Sequence, residues 1–131
     1  MTATSRFWRG AAAVWAGVIF VSGVVPTRSV VRAASDGHET LTTTVAHFMV
    51  YAVLGFLLGL ALGGWRTDLR RLALALALAV ALGGAIELIQ GPLSYRDAQL
   101  ADFIVDVAGA AAGLAVFSVA AAVERSRSRR G

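Results

Sequence analysis

Several ionisable side chains stand inside or beside the most apolar segments of this sequence. A charge in an apolar segment is costly unless another group pairs with it or a function uses it. Glu87 and Asp102 are carboxyl groups of the kind that form a general acid–base pair. His47 can accept or relay a proton near neutral pH. We therefore assign Glu87, Asp102 and His47 as candidate catalytic residues.

Four further residues are candidates for ligand binding: Arg96, Gln90, Tyr51 and Asp106. Because a guanidinium group can hold a phosphate or a carboxylate through two parallel hydrogen bonds, Arg96 is the candidate contact for an anionic group. Gln90 and Tyr51 are expected to orient their neighbours by hydrogen bonds. Asp106 follows Asp102 by four residues, so on a helix the two lie on the same face. Asp106 is expected to support the site from there.

Two alternatives use the same side chains differently. Glu87 and Asp102 could be the counter-ions of Arg96, in a structural polar knot that locks a helical hairpin. A metal site made of His47, Glu87, Asp102 and Asp106 has a plausible set of ligand types. We assign neither a metal nor a cofactor. The sequence has no cysteine, no phosphate-binding glycine loop and no nucleophile elbow.

The composition indicates that a polytopic membrane protein positions these residues. Of the 131 residues, 57% are hydrophobic, above the roughly 45–50% of soluble domains. Apolar runs close to the ~20 residues that cross a bilayer recur along the chain. They predict one all-α domain, a four-helix transmembrane bundle with a basic, disordered tail at 124–131. The predicted spans are residues 10–25, 41–64, 72–91 and 101–123.

The start of the chain admits a second interpretation. A charged beginning followed by a short apolar run also describes a signal peptide, and residues 1–34 would then be processed. We favour an uncleaved first span, because the run is long enough to cross a bilayer and further spans follow.

The arginines predict the orientation of the bundle. Nine of the twelve lie in the N-terminus, the 65–71 loop and the C-terminal tail, and three lie in the other two loops. Basic residues favour the cytoplasmic side, so both termini are expected there, in the plasma membrane. The intramembrane polar residues then fall in the outer half of the bilayer. We attribute the net charge of +4 to topology and anionic lipid, and predict no nucleic-acid partner.

Glycines continue the ridges on which the polar residues stand. His47 and Tyr51 precede three glycines at four-residue spacing, and two more glycines follow Asp106 near its face. Such small-residue spacing permits close helix approach, within one chain or between two copies of a homo-oligomer. These glycines are Gly55, Gly59, Gly63, Gly109 and Gly113.

Over roughly residues 40–115 the pattern resembles the VanZ-like family of membrane proteins. The matching residues are His47-x-x-x-Tyr51, Glu87-x-x-Gln90, Arg96 and Asp102-x-x-x-Asp106-x-x-Gly109. Two positions depart from the family pattern: Asp106 stands where asparagine is common, and Thr44 where lysine is common. The resemblance implies a role in the bacterial cell envelope, linked to resistance to the glycopeptide teicoplanin.

Three classes of function follow from these residues and remain open. The leading hypothesis is a protein that binds or acts on an outer-leaflet envelope lipid or a lipid-linked wall precursor. In it, Arg96 contacts the anionic group, Glu87 and Asp102 form the acid–base centre, and His47 assists. The alternatives are a small transporter and a non-catalytic structural or assembly factor. The sequence does not decide whether the protein is an enzyme.

Overall fold

A computed structural model describes residues 3–24, 39–90 and 100–130, and the side chains of 4–24, 43–89 and 100–130. Every regular element in these ranges is a helix, so the all-α prediction is confirmed. The four helices are α1 (Ala3–Val24), α2 (Glu39–Gly63), α3 (Leu69–Gln90) and α4 (Leu100–Ser128).

Each of the four helices is long and apolar enough to cross a membrane. Leucine and alanine favour the helix, and a helix satisfies its backbone polar groups internally, as a lipid environment demands. At most 33% of each apolar window is buried inside the bundle. The remaining surface carries large apolar side chains such as Val14, Leu78 and Val119, which suits contact with lipid.

The closest packing in the bundle joins α2 to α4. Three glycines of this interface each face a backbone carbonyl of the other helix: Gly55 faces Ala110, Gly109 faces Phe48, and Gly113 faces Ala52. A Cβ atom at any of them would collide with that carbonyl group. The predicted close approach is therefore present within one chain.

The close contacts between the glycines of α2 and helix α4 stop before the C-terminal end of α2. Gly59 lies against the ring of Phe117, so a side chain there would meet an aromatic group. Among the described residues, Gly63 instead has the Arg71 side chain as its one neighbour, 3.6 Å from where its Cβ would stand. Of the three glycines predicted on this face of α2, Gly55 and Gly59 therefore pack tightly against α4 and Gly63 does not.

Two hydrogen bonds, at different heights along the helices, connect α1 to α2. The indole Nε1 of Trp15 donates a hydrogen bond to the Val50 carbonyl oxygen at 3.0 Å. Near the chain start, the Arg9 Nε donates to the Ala61 carbonyl oxygen at 3.3 Å. Trp8 of α1 also packs against a cluster of Leu60, Phe117 and Ala121. The start of α1, the end of α2 and the end of α4 thus meet at one end of the bundle, which we call the basic end. We call the opposite end the site end.

The C-terminal residues extend α4 rather than leaving it. We predicted a disordered tail from residue 124, but the helix continues to Ser128. Arginines in a last helical turn interact favourably with the helix dipole, and Arg125 Nη1 donates to the Trp65 carbonyl oxygen at 3.1 Å. These interactions stabilise a segment whose polar composition alone suggested disorder.

Candidate functional site

A hydrogen-bonded pair of ionisable side chains joins α2 and α4 at the site end. His47 Nδ1 lies 3.0 Å from Asp106 Oδ1. The Asp106 side chain is 6% exposed, whereas that of His47 is 28% exposed. The imidazole can therefore meet a ligand while its carboxylate partner is shielded.

Tyr51 completes this pair from one helical turn further along α2. Its side chain is buried and is hydrogen-bonded with that of Asp106. Gly83 of α3 leaves the space for both groups, because a Cβ there would stand 3.3 Å from the Tyr51 hydroxyl and 3.6 Å from Asp106 Oδ2. Three helices therefore meet around one carboxylate.

These side chains line a cavity of about 200 Å³. His47, Tyr51, Glu87 and Asp106 supply most of its polar wall, and the rest is mainly apolar. Glu87 reaches the cavity from α3 and is half-buried. One imidazole, one phenol and two carboxyl groups thus share a small space among membrane-spanning helices.

Helix α1 also contributes to this cavity, which was not predicted from the sequence. Ile19, Ser22 and Gly23 line it, and Gly23 packs close to Ile86 of α3. The Ser22 hydroxyl donates to the Val18 and Ile19 carbonyl oxygens of its own helix, at 2.5 and 3.2 Å. Ser22 is the one hydroxyl residue in the last turns of the first apolar run, and that was the only available signal.

The structure brings together four of the seven predicted site residues: His47, Tyr51, Glu87 and Asp106. Asp102 is half-buried one turn earlier on α4 and does not line the cavity. The pairing of Asp102 with Glu87 stays a prediction, whereas Asp106 lines the cavity together with Glu87 and faces α2 and α3. Arg96 and the Gln90 side chain lie outside the described residues.

The ionisation of Asp106 decides the hydrogen-bonding roles within the pair. An ionised carboxylate only accepts hydrogen bonds, so with Asp106 ionised both Tyr51 and His47 Nδ1 donate to it. In a neutral imidazole with its proton on Nδ1, the second ring nitrogen, Nε2, is a proton acceptor. A carboxylate that fixes the tautomer of an imidazole positions that imidazole to act as a general base. Within the described residues, no group of three or more side chains could hold a metal ion.

Four apolar helices around a half-buried histidine and a buried aspartate and tyrosine define a polytopic membrane protein with a polar site in its membrane-spanning part. The chain belongs to the VanZ/LLP1 family, whose family model matches residues 7–121. The match runs from the first turns of α1 to the last turns of α4, and the predicted family is confirmed. No curated protein and no solved structure matches the chain.

Proposed function

We propose that the cavity binds the polar group of an outer-leaflet envelope lipid or a lipid-linked wall precursor, and that this binding contributes to glycopeptide resistance. The observation that carries the proposal is the His47–Asp106 hydrogen bond at the wall of the cavity. Ionisable groups inside membrane-spanning segments mark functional sites by default, because their burial is expensive.

The outward position of the cavity is part of the proposal. His47, Glu87 and Asp106 all lie at the site end, away from the basic end, where nine arginines cluster in the sequence. Basic residues favour the cytoplasmic side of the membrane. We therefore place the cavity toward the outer leaflet, where envelope lipids carrying wall precursors are exposed.

We propose a separate role for each of the polar residues at the cavity. His47 contacts the ligand and exchanges a proton with it, while Asp106 and Tyr51 fix the orientation of the imidazole. Glu87 faces the same space and supplies a second carboxyl group for hydrogen bonding or proton transfer. Arg96 is proposed, on its chemistry alone, to hold an anionic group of the ligand.

A structural role is the second candidate, and one observation favours it. The His47–Asp106 pair joins α2 and α4, the two helices that the glycines bring closest together. In this second candidate the pair is only a stabilising contact between the two helices. Breaking a stabilising contact lowers the stability of the protein, whereas breaking a ligand site lowers the affinity for the ligand.

The two candidates separate in a binding experiment with purified protein in detergent. A polyprenyl-diphosphate-linked muropeptide is titrated against the wild type, Asp106→Asn and the matched control Asp102→Asn, with the melting temperature as readout. A ligand at 100 times its Kd stabilises the folded state by about 2.7 kcal/mol. We expect this stabilisation in the wild type and the control, and its loss in Asp106→Asn.

The ligand-free melting temperatures of the same proteins interpret the result. Asp106→Asn could have a lower melting temperature without ligand and still show the full ligand-induced rise in melting temperature. In that case the pair is a stabilising contact between helices and the binding proposal is wrong. Product analysis of the wild-type mixture then asks whether bound precursor is chemically altered, which would make the protein an enzyme.

A further inference from the structure

A second cavity lies at the basic end of the bundle. It has a volume of about 370 Å³ and is lined by Arg66, Thr67, Asp68, Arg71 and Arg125. These residues come from the connection between α2 and α3, the first turn of α3 and the last turns of α4. Three guanidinium groups from separate parts of the chain therefore share one recess.

Two of these arginines are held in place by neighbouring groups. Arg71 Nε lies 2.9 Å from Asp68 Oδ2, and Asp68 Oδ1 accepts a hydrogen bond from the Arg71 backbone nitrogen at 3.0 Å. Arg125 is anchored by its bond to the Trp65 carbonyl oxygen. This fixation lowers the entropy that a ligand would otherwise have to remove on binding.

The recess has an unbalanced positive charge. Its lining holds three arginines against a single aspartate, which leaves a formal charge of +2. In the described part of the chain, Arg66 makes no ion pair. An anion with two or more oxygen acceptors matches this charge and the donor geometry of guanidinium groups.

Trp65 indicates how deep the recess lies relative to the membrane. It directly precedes Arg66, is 41% exposed, and stacks on Phe117 of α4 with ring centroids 6.5 Å apart. Tryptophan favours the level of lipid headgroups, where its apolar ring and polar nitrogen are both accommodated. A recess beside such a residue suits headgroup depth, next to the ends of helices that are long and apolar enough to cross a membrane.

We propose that this recess is a binding site for the phosphate of an anionic phospholipid headgroup. Arg66 and Arg125 contact the phosphate oxygens, and the Thr67 hydroxyl donates a further hydrogen bond. The charge of Asp68 is compensated by Arg71, whose Nε and backbone nitrogen both contact its carboxylate. The site is separate from the cavity at His47, so it stands whether or not the proposed function is correct.

The test measures melting of the full chain in a neutral detergent. The probes are dioctanoyl phosphatidylglycerol, dioctanoyl phosphatidylcholine and inorganic phosphate. The variant is Arg66→Gln, with Arg66→Lys retaining the charge. Arg129→Gln is the matched control, since it removes one charge from the same end of the bundle without touching the recess.

We expect phosphatidylglycerol to stabilise the wild type and Arg129→Gln, with an apparent affinity about three- to tenfold weaker in Arg66→Gln. The affinity of Arg66→Lys should lie between those of the wild type and Arg66→Gln. Stabilisation by inorganic phosphate at the same concentrations would identify a free phosphate as the ligand of the same recess, whereas a response to the lipid alone identifies the headgroup. Equal weakening in Arg66→Gln and Arg129→Gln, or equal stabilisation by phosphatidylcholine, would overturn the proposal.

Discussion

Gly109 of α4 lies directly against the backbone carbonyl group of Phe48 in α2. Phe48 is the neighbour of His47 in the sequence, and Gly109 follows Asp106 by three residues. The contact that sets the distance between the two helices is therefore within one turn of the His47–Asp106 hydrogen bond. Close packing and the polar site are parts of one arrangement, because a wider helix separation would draw the imidazole away from the carboxylate.

Gly109→Ala should separate the helices and destabilise the protein. Its methyl group would meet a backbone carbonyl that cannot rotate away, and such overpacking typically costs about 1–3 kcal/mol. The higher helix propensity of alanine, worth up to ~1 kcal/mol, offsets only part of this cost. We expect a lower melting temperature in detergent and a weaker His47–Asp106 interaction.

Gly17→Ala is the matched control for this substitution. Gly17 also lies within a helix, but no described residue stands within 4 Å of its would-be Cβ atom. Its melting temperature should stay the same or rise slightly. If Gly17→Ala and Gly109→Ala melted alike, close approach of α2 and α4 would not be what stabilises this bundle.

Tyr51→Phe should weaken the site while leaving the bundle folded. The change keeps the ring volume and removes only the hydroxyl group that is hydrogen-bonded with Asp106. Loss of one partner of a buried carboxylate costs about 1–3 kcal/mol. We expect a modest fall in the melting temperature and weaker binding of the lipid-linked precursor.

Ser118→Ala provides the comparison, because the Ser118 hydroxyl donates to the Leu114 carbonyl oxygen of its own helix, at 2.8 Å, and does not line the cavity. It should leave precursor binding unchanged. Equal effects of Tyr51→Phe and Ser118→Ala on binding would show that the tyrosine hydroxyl has no special part in the site.

The orientation of the bundle can be measured by cysteine labelling. The chain has no cysteine of its own, so a single introduced thiol reports without background. Leu100→Cys reports on the site end, where Leu100 is 74% exposed, and Ser128→Cys reports on the basic end. An impermeant maleimide applied to intact cells should label the first and not the second. The reverse pattern would place the cavity on the cytoplasmic side.

The four helices were predictable because a membrane span carries its own signature in composition and length. The close approach of α2 and α4 was predictable for a similar reason, since glycines at four-residue spacing have few other uses on an apolar helix. The extension of α4 to Ser128 was not, because it depends on a contact between Arg125 and a carbonyl group some 60 residues away in the sequence.

The polar site was predictable as a set of residue types but not as a set of contacts. Asp102 and Asp106 lie on similar faces of one helix, and their spacing alone does not decide which of them reaches His47. That choice depends on the rotation of α4 about its axis, which the glycine contacts with α2 determine. The contribution of Ser22 was missed for the same reason, since the packing of α1 against α3 is a tertiary property.

The most direct test of the account compares teicoplanin sensitivity in a host that lacks the protein and is supplied with wild type, Asp106→Asn or Asp102→Asn. Both variants remove one carboxylate from α4, but only Asp106 lines the cavity. With equal membrane levels and detergent stabilities measured alongside, we predict that the wild type and Asp102→Asn protect the host and Asp106→Asn does not. Equal protection by both variants, or a loss of protection that follows melting temperature alone, would contradict the claim that this cavity performs the function.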